Sequence, residues 1–293
     1  PAGGLAARTR AMLKVEDGCV NFCTYCIIPF ARGPVCSLPM DQAVAQTRQL
    51  QAEGYRELVF TGIEISSWGQ DLRNGSGLID LMEAVSAAAP RLRLRLGSLE
   101  PRTITEDFCR RAAALPNLCP HFHLSLQSGC DATLHRMNRR YDTARFRQSV
   151  DLLRRYFDHP AITTDVIVGF PGETEAEFQQ TLDFVEQVKL CRIHVFPYSP
   201  RSGTPAARMP GQLSKAVKSQ RAHILAQLAD RLEAEYLAQQ VGTCQAVLFE
   251  EEKHGGVEGY TDTYVRVWVP SGKQVLGQLA QVQMLRLNRL ISC

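Results

Sequence analysis

The chain has 293 residues, 45% of them hydrophobic, and a formal net charge of +3, enough apolar material for a sizeable core and room for more than one domain. No apolar run approaches the roughly 18 residues that cross a bilayer, and PAGGLAARTR carries no signal-peptide h-region, so a membrane span is excluded and a cytoplasmic protein is expected. Ten cysteines scattered through so large a chain do not make a small disulfide scaffold; a reducing compartment and a metal site fit them better.

In chain order, residues 1–10 read as the remnant of a linker, with a further segment expected upstream, and LKV (13–15) reads as a first strand. Directly after it, Cys19, Cys23 and Cys26 form a C-x3-C-x2-C loop. Thiolates so spaced can each hold one iron of a cubane 4Fe-4S cluster, and an iron without a cysteine keeps a position open for a small molecule. Two other readings stand beside this one. Cys36 as a fourth ligand would make a ferredoxin-like electron carrier. A structural zinc knot is the third, although such sites usually pair two hooks of the C-x2-C type and only one is present.

Strands and helices then alternate to about residue 198. Strands are expected over 57–63, 91–97, 121–127, 162–170 and 192–199, and helices over 41–53, 78–88, 131–137 and 143–157, with another after residue 174. Thr103 with Glu106, and Thr174 with Glu177, read as capping boxes. Six βα units require a parallel sheet, either an open doubly wound sheet or a barrel. TGIE (61–64), SLEP (98–101), LQSG (126–129) and VGFPGE (168–173) fall at strand ends, where barrels bind ligands, and favour the barrel. His121, His123, Ser125 and Gln127 share one face of the fourth strand, which gives such a barrel a polar lumen.

PYSPRSGTPAARMPG (197–211), with its prolines, reads as a connector over the surface, and an apolar stripe from Val217 to Tyr236 as a long helix. CQAVLFEE, GYTDTYVRVWVP, QVLGQLAQVQML and LNRLIS are short β-type segments, a pattern that points to a small antiparallel barrel. Charge is unevenly spread. No Asp or Glu occurs from Gln187 to Ala229, where Lys189, Arg192, Arg201, Arg208, Lys215, Lys218 and Arg221 lie, and Arg136, Arg139, Arg140, Arg145 and Arg147 form a second basic group. Such stretches are either solvated faces or a grip on a phosphate backbone. Residues 241–293 add nothing net, since Lys253, Arg266, Lys273, Arg286 and Arg289 are matched by Glu250, Glu251, Glu252, Glu258 and Asp262.

CTYCIIPFARG (23–33), SLQSGCDATLHRMNRRY (125–141), TTDVIVGFPGETEAEF (163–178) and HVFPYSPRSGTPAARMP (194–210) resemble the radical S-adenosylmethionine (SAM) methylthiotransferase family. The resemblance runs from about residue 8 to the end. It implies an α/β chain, with an incomplete (β/α)6 barrel over 11–200, a connector and helix over 201–240, and a TRAM-like RNA-binding β-barrel over 241–293. It implies that Cys19, Cys23 and Cys26 ligate a 4Fe-4S cluster whose open iron takes SAM, with Tyr25 as the aromatic that usually precedes the third cysteine. Gly62, Ile63 and Glu64 would meet the methionyl amino group, although Glu64 replaces the more usual Asn or His. Ser98, Glu100, Gln127 and Arg139 would neighbour SAM, and Asp165 and Gly169 would line its adenosyl side. Cys36 stands where bacterial relatives often carry Arg. The implied reaction adds a methylthio group to carbon 2 of N6-threonylcarbamoyladenosine in the anticodon region of tRNA; isopentenyladenosine in tRNA and a ribosomal-protein aspartate are the family's other substrates. Partners would be tRNA and a reducing donor such as flavodoxin or ferredoxin. The family holds a second 4Fe-4S cluster on three cysteines of a preceding domain, which have no counterpart here. Cys109, Cys119, Cys130, Cys191, Cys244 and Cys293 read instead as buried small hydrophobes. The chain is therefore expected to cleave SAM without completing sulfur transfer.

Overall fold

A computed structural model of the protein describes residues 9–270 and 275–285. The chain opens with β1 (Arg10–Lys14), a two-residue ladder of β2 (Glu16–Asp17) with β3 (Cys36–Ser37) around the short helix α1 (Ile28–Arg32), and then α2 (Met40–Ala52). β4 (Glu57–Thr61), α3 (Leu78–Ala88), β5 (Arg93–Leu96), β6 (Ser98–Leu99), α4 (Glu106–Ala113) and β7 (His121–Leu124) follow. The series closes with α5 (Asp131–Arg136), α6 (Thr143–Tyr156), β8 (Ala161–Val168), α7 (Glu175–Val188), β9 (Arg192–Pro197) and α8 (Lys215–Gln240).

Every pairing from β1 through β4, β5, β6, β7 and β8 to β9 is parallel. β5 and β6 are halves of one strand broken at Gly97, where a first side-chain carbon would stand 2.8 Å from the Phe60 carbonyl oxygen. Alternation decides which way each strand faces. Leu58, Phe60, Leu94, Leu96, Phe122, Leu124, Val166 and Val168 are buried within one core shared with the helices, each contributing about 1.5–3 kcal/mol. The other face is polar and encloses a cavity of about 920 Å³, lined from β4, β5, β7, β8 and β9 by Val59, Arg95, His121, Asp165 and His194. Strands that curl round a shared lumen make a partial barrel, not an open sheet, and β1 and β9 are its unpaired edges. α8 packs along β9 and α7.

The C-terminal unit is an antiparallel sheet of β10 (Cys244–Lys253), β11 (Gly256–Thr261), β12 (Arg266–Pro270) and β13 (Leu279–Gln283), ordered β12-β11-β10-β13 over a core of Val247, Phe249, Val257 and Val267. The expected small closed barrel is not formed by the described residues, because β12 and β13 do not pair. GYTDTYVRVWVP is two strands joined by a turn in which the Val265 N–H donates to Thr261 Oγ1 at 2.9 Å. LNRLIS lies outside the described residues.

This sheet closes the amino end of the barrel. Glu57, fully buried, is gripped by Arg10 Nε at 2.8 Å, Arg93 Nη2 at 2.6 Å and Arg95 Nε at 2.8 Å. Burial alone would push its carboxyl up, but the Arg95 hydrogen bonds and the three positive charges win and hold it at about 2. The same arginines reach across. Arg93 donates to the Ala246 and Tyr260 carbonyls, Arg95 to those of Thr261 and Asp262, and Arg10 pairs with Glu250 at 3.0 Å.

Two local expectations need correcting. The cap before α4 is Thr105, whose hydroxyl accepts from the Phe108 N–H at 3.1 Å, so Thr103 and Glu106 form no capping box. The connector at 197–211 is not merely a surface passage: Tyr198 and Ala206 are buried with Met137 and Phe170, and the Ala206 N–H donates to the Thr24 carbonyl inside the cysteine loop. The Thr174–Glu177 capping box is present as expected.

Candidate active site

Cys19, Cys23 and Cys26 lie on the loop that leaves β2, beyond the carboxyl end of β1. The loop begins at Gly18, where φ is +85° and a first side-chain carbon would fall 1.9 Å from the Pro34 carbonyl oxygen, so only glycine fits. Its far side is fixed by the end of α5. The Thr24 N–H and hydroxyl donate to the Met137 and Arg136 carbonyls at 3.0 and 2.9 Å, and Asn138 Nδ2 donates to the Phe22 carbonyl at 2.9 Å. Burial, then the charges of Glu64, Cys23 and Cys26, push the Cys19 thiol up to about 11. Burial also pushes Cys26 up. Thiols so placed ionise when a cation joins them.

Among the described residues, His123, Asp165 and His194 form the one set of three whose ligand atoms all lie within 4.8 Å of one another. Three thiols on one braced loop, with Arg139 donating to one of them at 3.1 Å, are a donor set that fits a cluster, one iron per thiol. Cys36 is exposed on β3, whose ladder pairs it with Asp17.

Arg139 is the centre of the charge network beside the loop. Its Nη1 donates to Cys23 Sγ at 3.1 Å, its Nε to Tyr141 Oη at 3.0 Å, and its Nη2 pairs with Glu100, while Tyr25 Oη lies at 3.5 Å. Burial raises the Glu100 carboxyl against the lowering charge of Arg139, and burial raises the Tyr25 hydroxyl. Tyr25 also packs edge-on against Phe170, with ring centroids 6.4 Å apart.

A second wall is the turn after β4. Glu64 caps a short 3-10 turn, its carboxylate accepting from the Ser66 N–H at 3.0 Å and the Ser67 hydroxyl at 2.6 Å. Glu16, 1% exposed, accepts the Glu64 N–H at 2.8 Å, and burial, with the charge of Glu64 adding, pushes its carboxyl up to about 7. A first side-chain carbon on Gly62 would stand 2.9 Å from the Glu16 carbonyl and carboxylate oxygens.

The remaining expected residues scatter more. Ser98 and Asp165 line the lumen, and Asp165 Oδ2 lies 3.4 Å from His123 Nε2. Gln127 adopts φ +66° and bridges β7 to β8, donating its N–H to the Asp165 carbonyl at 2.9 Å. Gly169, at φ +71°, donates its N–H to Glu173 Oε2 at 2.7 Å and lies under Lys218. His121 is held neutral by burial and by Arg95, at about 3. Reading the sequence missed Glu16, Tyr141, Glu173 and His194. Tyr141, Glu173 and His194 lie inside segments that carry the family resemblance, where no spacing singles them out, and Glu16 is marked only by lying three residues before Cys19.

Other expectations fail in the fold. Arg221 is buried and paired with Glu173 at 2.7 Å, Arg136 pairs with Glu177 at 2.8 Å, and Arg139 is internal, so these three belong to no exposed basic face. Cys109, Cys119, Cys130 and Cys191 are buried as expected, but Cys244 is exposed, and Cys293 lies outside the described residues.

A sequence model of the Radical SAM superfamily matches residues 13–185. The chain belongs to the radical SAM superfamily. This radical SAM chain is 38% identical, over 95% of its length, to the threonylcarbamoyladenosine tRNA methylthiotransferase MtaB of Bacillus subtilis (strain 168), and spans 63% of that protein. It is 38% identical over 99% of its length to the Thermotoga maritima protein of the same name, spanning 67% of it. It is 35% identical over 96% of its length to the tRNA-2-methylthio-N(6)-dimethylallyladenosine synthase of Moorella thermoacetica, spanning 64% of it. Among solved structures, the radical SAM enzyme coproporphyrinogen III oxidase (HemN) of Escherichia coli shares the fold, with TM-score 0.59 and 14% identity over 96% of this chain and 73% of that one. Among the described residues, no helix is long and apolar enough to cross a membrane.

Proposed function

We propose that this radical SAM chain is the barrel and C-terminal portion of a cytoplasmic methylthiotransferase acting on N6-threonylcarbamoyladenosine in tRNA. The reading rests on one observation above the others: Cys19, Cys23 and Cys26 share a braced loop at the barrel's carboxyl mouth, with Arg139 on Cys23. A 4Fe-4S cluster held there by the three thiols, with SAM at its fourth iron, supplies one-electron cleavage of SAM to a carbon radical.

The chain's own residues do the rest. Arg139 supplies positive charge at the Cys23 sulfur while Glu100 and Tyr141 fix its direction. Glu16 ties down the Gly62–Glu64 turn, which would receive the methionyl amino group. Ser98, Glu100, Gln127, Asp165 and Gly169 would neighbour the rest of SAM. The tRNA would be held by Arg201, Arg208 and Lys215, all exposed. Electrons would come from flavodoxin or ferredoxin. The cysteines outside the loop have no ligand-like spacing, and Cys109, Cys119, Cys130 and Cys191 are buried. The second cluster needed for sulfur insertion is therefore not built by them, and this polypeptide alone would stop at SAM cleavage.

Anaerobic reconstitution tests the reading. About four irons per chain and reductive release of 5′-deoxyadenosine are expected, both lost when Cys19, Cys23 and Cys26 become Ala and kept in Cys36→Ala. A cluster lost in Cys36→Ala, or one indifferent to SAM, would leave an electron carrier instead. Tighter binding of tRNA carrying isopentenyladenosine than of tRNA carrying threonylcarbamoyladenosine would reassign the substrate, and methylthiolated product from this chain alone would remove the stop at SAM cleavage.

A further inference from the structure

We propose that His123, Asp165 and His194 form a second metal site in the barrel lumen, separate from the cysteine loop, for a single divalent ion of the zinc class. The three stand on adjacent strands, β7, β8 and β9, and their ligand atoms all lie within 4.8 Å of one another. Two nitrogens and one carboxylate oxygen are the donor set of many zinc and non-haem iron sites. Strand positions hold such a constellation rigidly.

Three details favour an ion over a simple hydrogen-bonded group. His123 Nε2 and Asp165 Oδ2 are 3.4 Å apart, beyond the 2.7–3.2 Å of a good N–H···O bond. Two ligands each about 2.1 Å from a tetrahedral ion stand about 3.4 Å apart, which is the separation found. The other ring nitrogen of His123 lies 2.9 Å from Thr163 Oγ1, an outer contact of the kind that fixes the orientation of a ligating histidine. The nearby cations are also committed elsewhere: Arg95 to Glu57, and Arg192 to Glu233 at 3.6 Å. Asp165 is thus left to the histidines.

All three residues line the cavity of about 920 Å³. Three protein ligands leave a tetrahedral ion one position, and the site opens on that cavity, where an oxygen or nitrogen donor of a molecule in the lumen can take it. Asp165 is also the residue proposed to line the adenosyl side of SAM, so the metal titration is made without SAM on a chain that lacks the cluster thiols, and its failure leaves the cluster reading untouched.

The test uses the full chain carrying Cys19, Cys23 and Cys26→Ala, which removes competing iron and thiolates, titrated with Co²⁺. One equivalent is expected to bind with visible ligand-field bands and no thiolate-to-cobalt charge transfer. Asp165→Asn and His194→Gln should abolish it, and Thr163→Val should weaken it by about 10–100-fold. His194 is exposed, so its variant tests binding without disturbing the core, and thermal melting by circular dichroism checks that each variant is folded. In the cluster-loaded wild-type chain, equilibrium dialysis should find one Zn²⁺ beyond the iron. Failure to bind one equivalent, binding that survives both Asp165→Asn and His194→Gln, or a thiolate spectrum would overturn the site.

Discussion

Arg139 Nη1 lies 3.1 Å from the sulfur of Cys23, so a residue in the loop after α5 reaches a thiol 116 positions earlier in the chain. The guanidinium is almost fully buried and its other branch pairs with Glu100. Arg139→Ala would strand the Glu100 carboxylate in the interior, and removing one partner of a buried pair costs about 3–5 kcal/mol. Urea titration should show that loss, and a smaller one in Arg139→Ala with Glu100→Leu. Arg139→Lys keeps the charge but not the fork, and should retain less iron than wild type after reconstitution.

Glu16 gives a pH dependence of unusual sign. Its folded carboxyl is raised from 4.5 to about 7, so the folded state binds the proton more tightly than the unfolded chain. Its contribution is full below about 4.5 and declines as pH rises through about 7, by at most about 1.4 kcal/mol per pH unit crossed. Urea midpoints across that window should fall with pH in wild type relative to Glu16→Gln. Parallel profiles would show that Glu16 does not titrate there.

Glu57 works the other way. Held at about 2 from an ordinary 4.5, it stabilises the fold above 4.5, and the contribution drains away as pH falls towards 2. Glu57→Gln should remove this acid dependence. Near neutrality it should cost about 3–5 kcal/mol, because three guanidiniums lose their counter-charge. Since those arginines also hold the C-terminal sheet, limited proteolysis at the junction after α8 should quicken in the variant.

Neutralising Arg201, Arg208 and Lys215 together should weaken tRNA binding. It should also lower the slope of log affinity against log salt by about 0.7–0.9 for each phosphate that is no longer neutralised. Arg221→Ala is the control. It should lower stability through Glu173 and leave that slope unchanged.

The alternation of strands and helices is legible because apolar residues repeat at the period of each element, and the cysteine loop because its spacing carries its chemistry. The capping box at Thr174 is equally plain. What sequence does not reveal is which charges turn inward. Arg221, Arg136 and Arg139 look like solvated bases in a run of bases, and only the fold supplies Glu173, Glu177 and Glu100 as their partners. The connector misleads for a related reason: its prolines announce irregular backbone but not that Tyr198 and Ala206 pack beneath the loop. The C-terminal segments carry strand signals without any mark of which edges meet. His194 opens a segment that carries the family resemblance, but nothing in that segment points to His123 and Asp165, which it joins only through the register of three strands.

The fork of arginines around Glu57, with Tyr260 and Tyr264 against Arg10, joins two units through one carboxylate. Arg93 and Arg95 meet that carboxylate and also reach the carbonyls of the C-terminal sheet. A single proton delivered to Glu57 therefore slackens both the floor of the barrel and its mooring to the sheet.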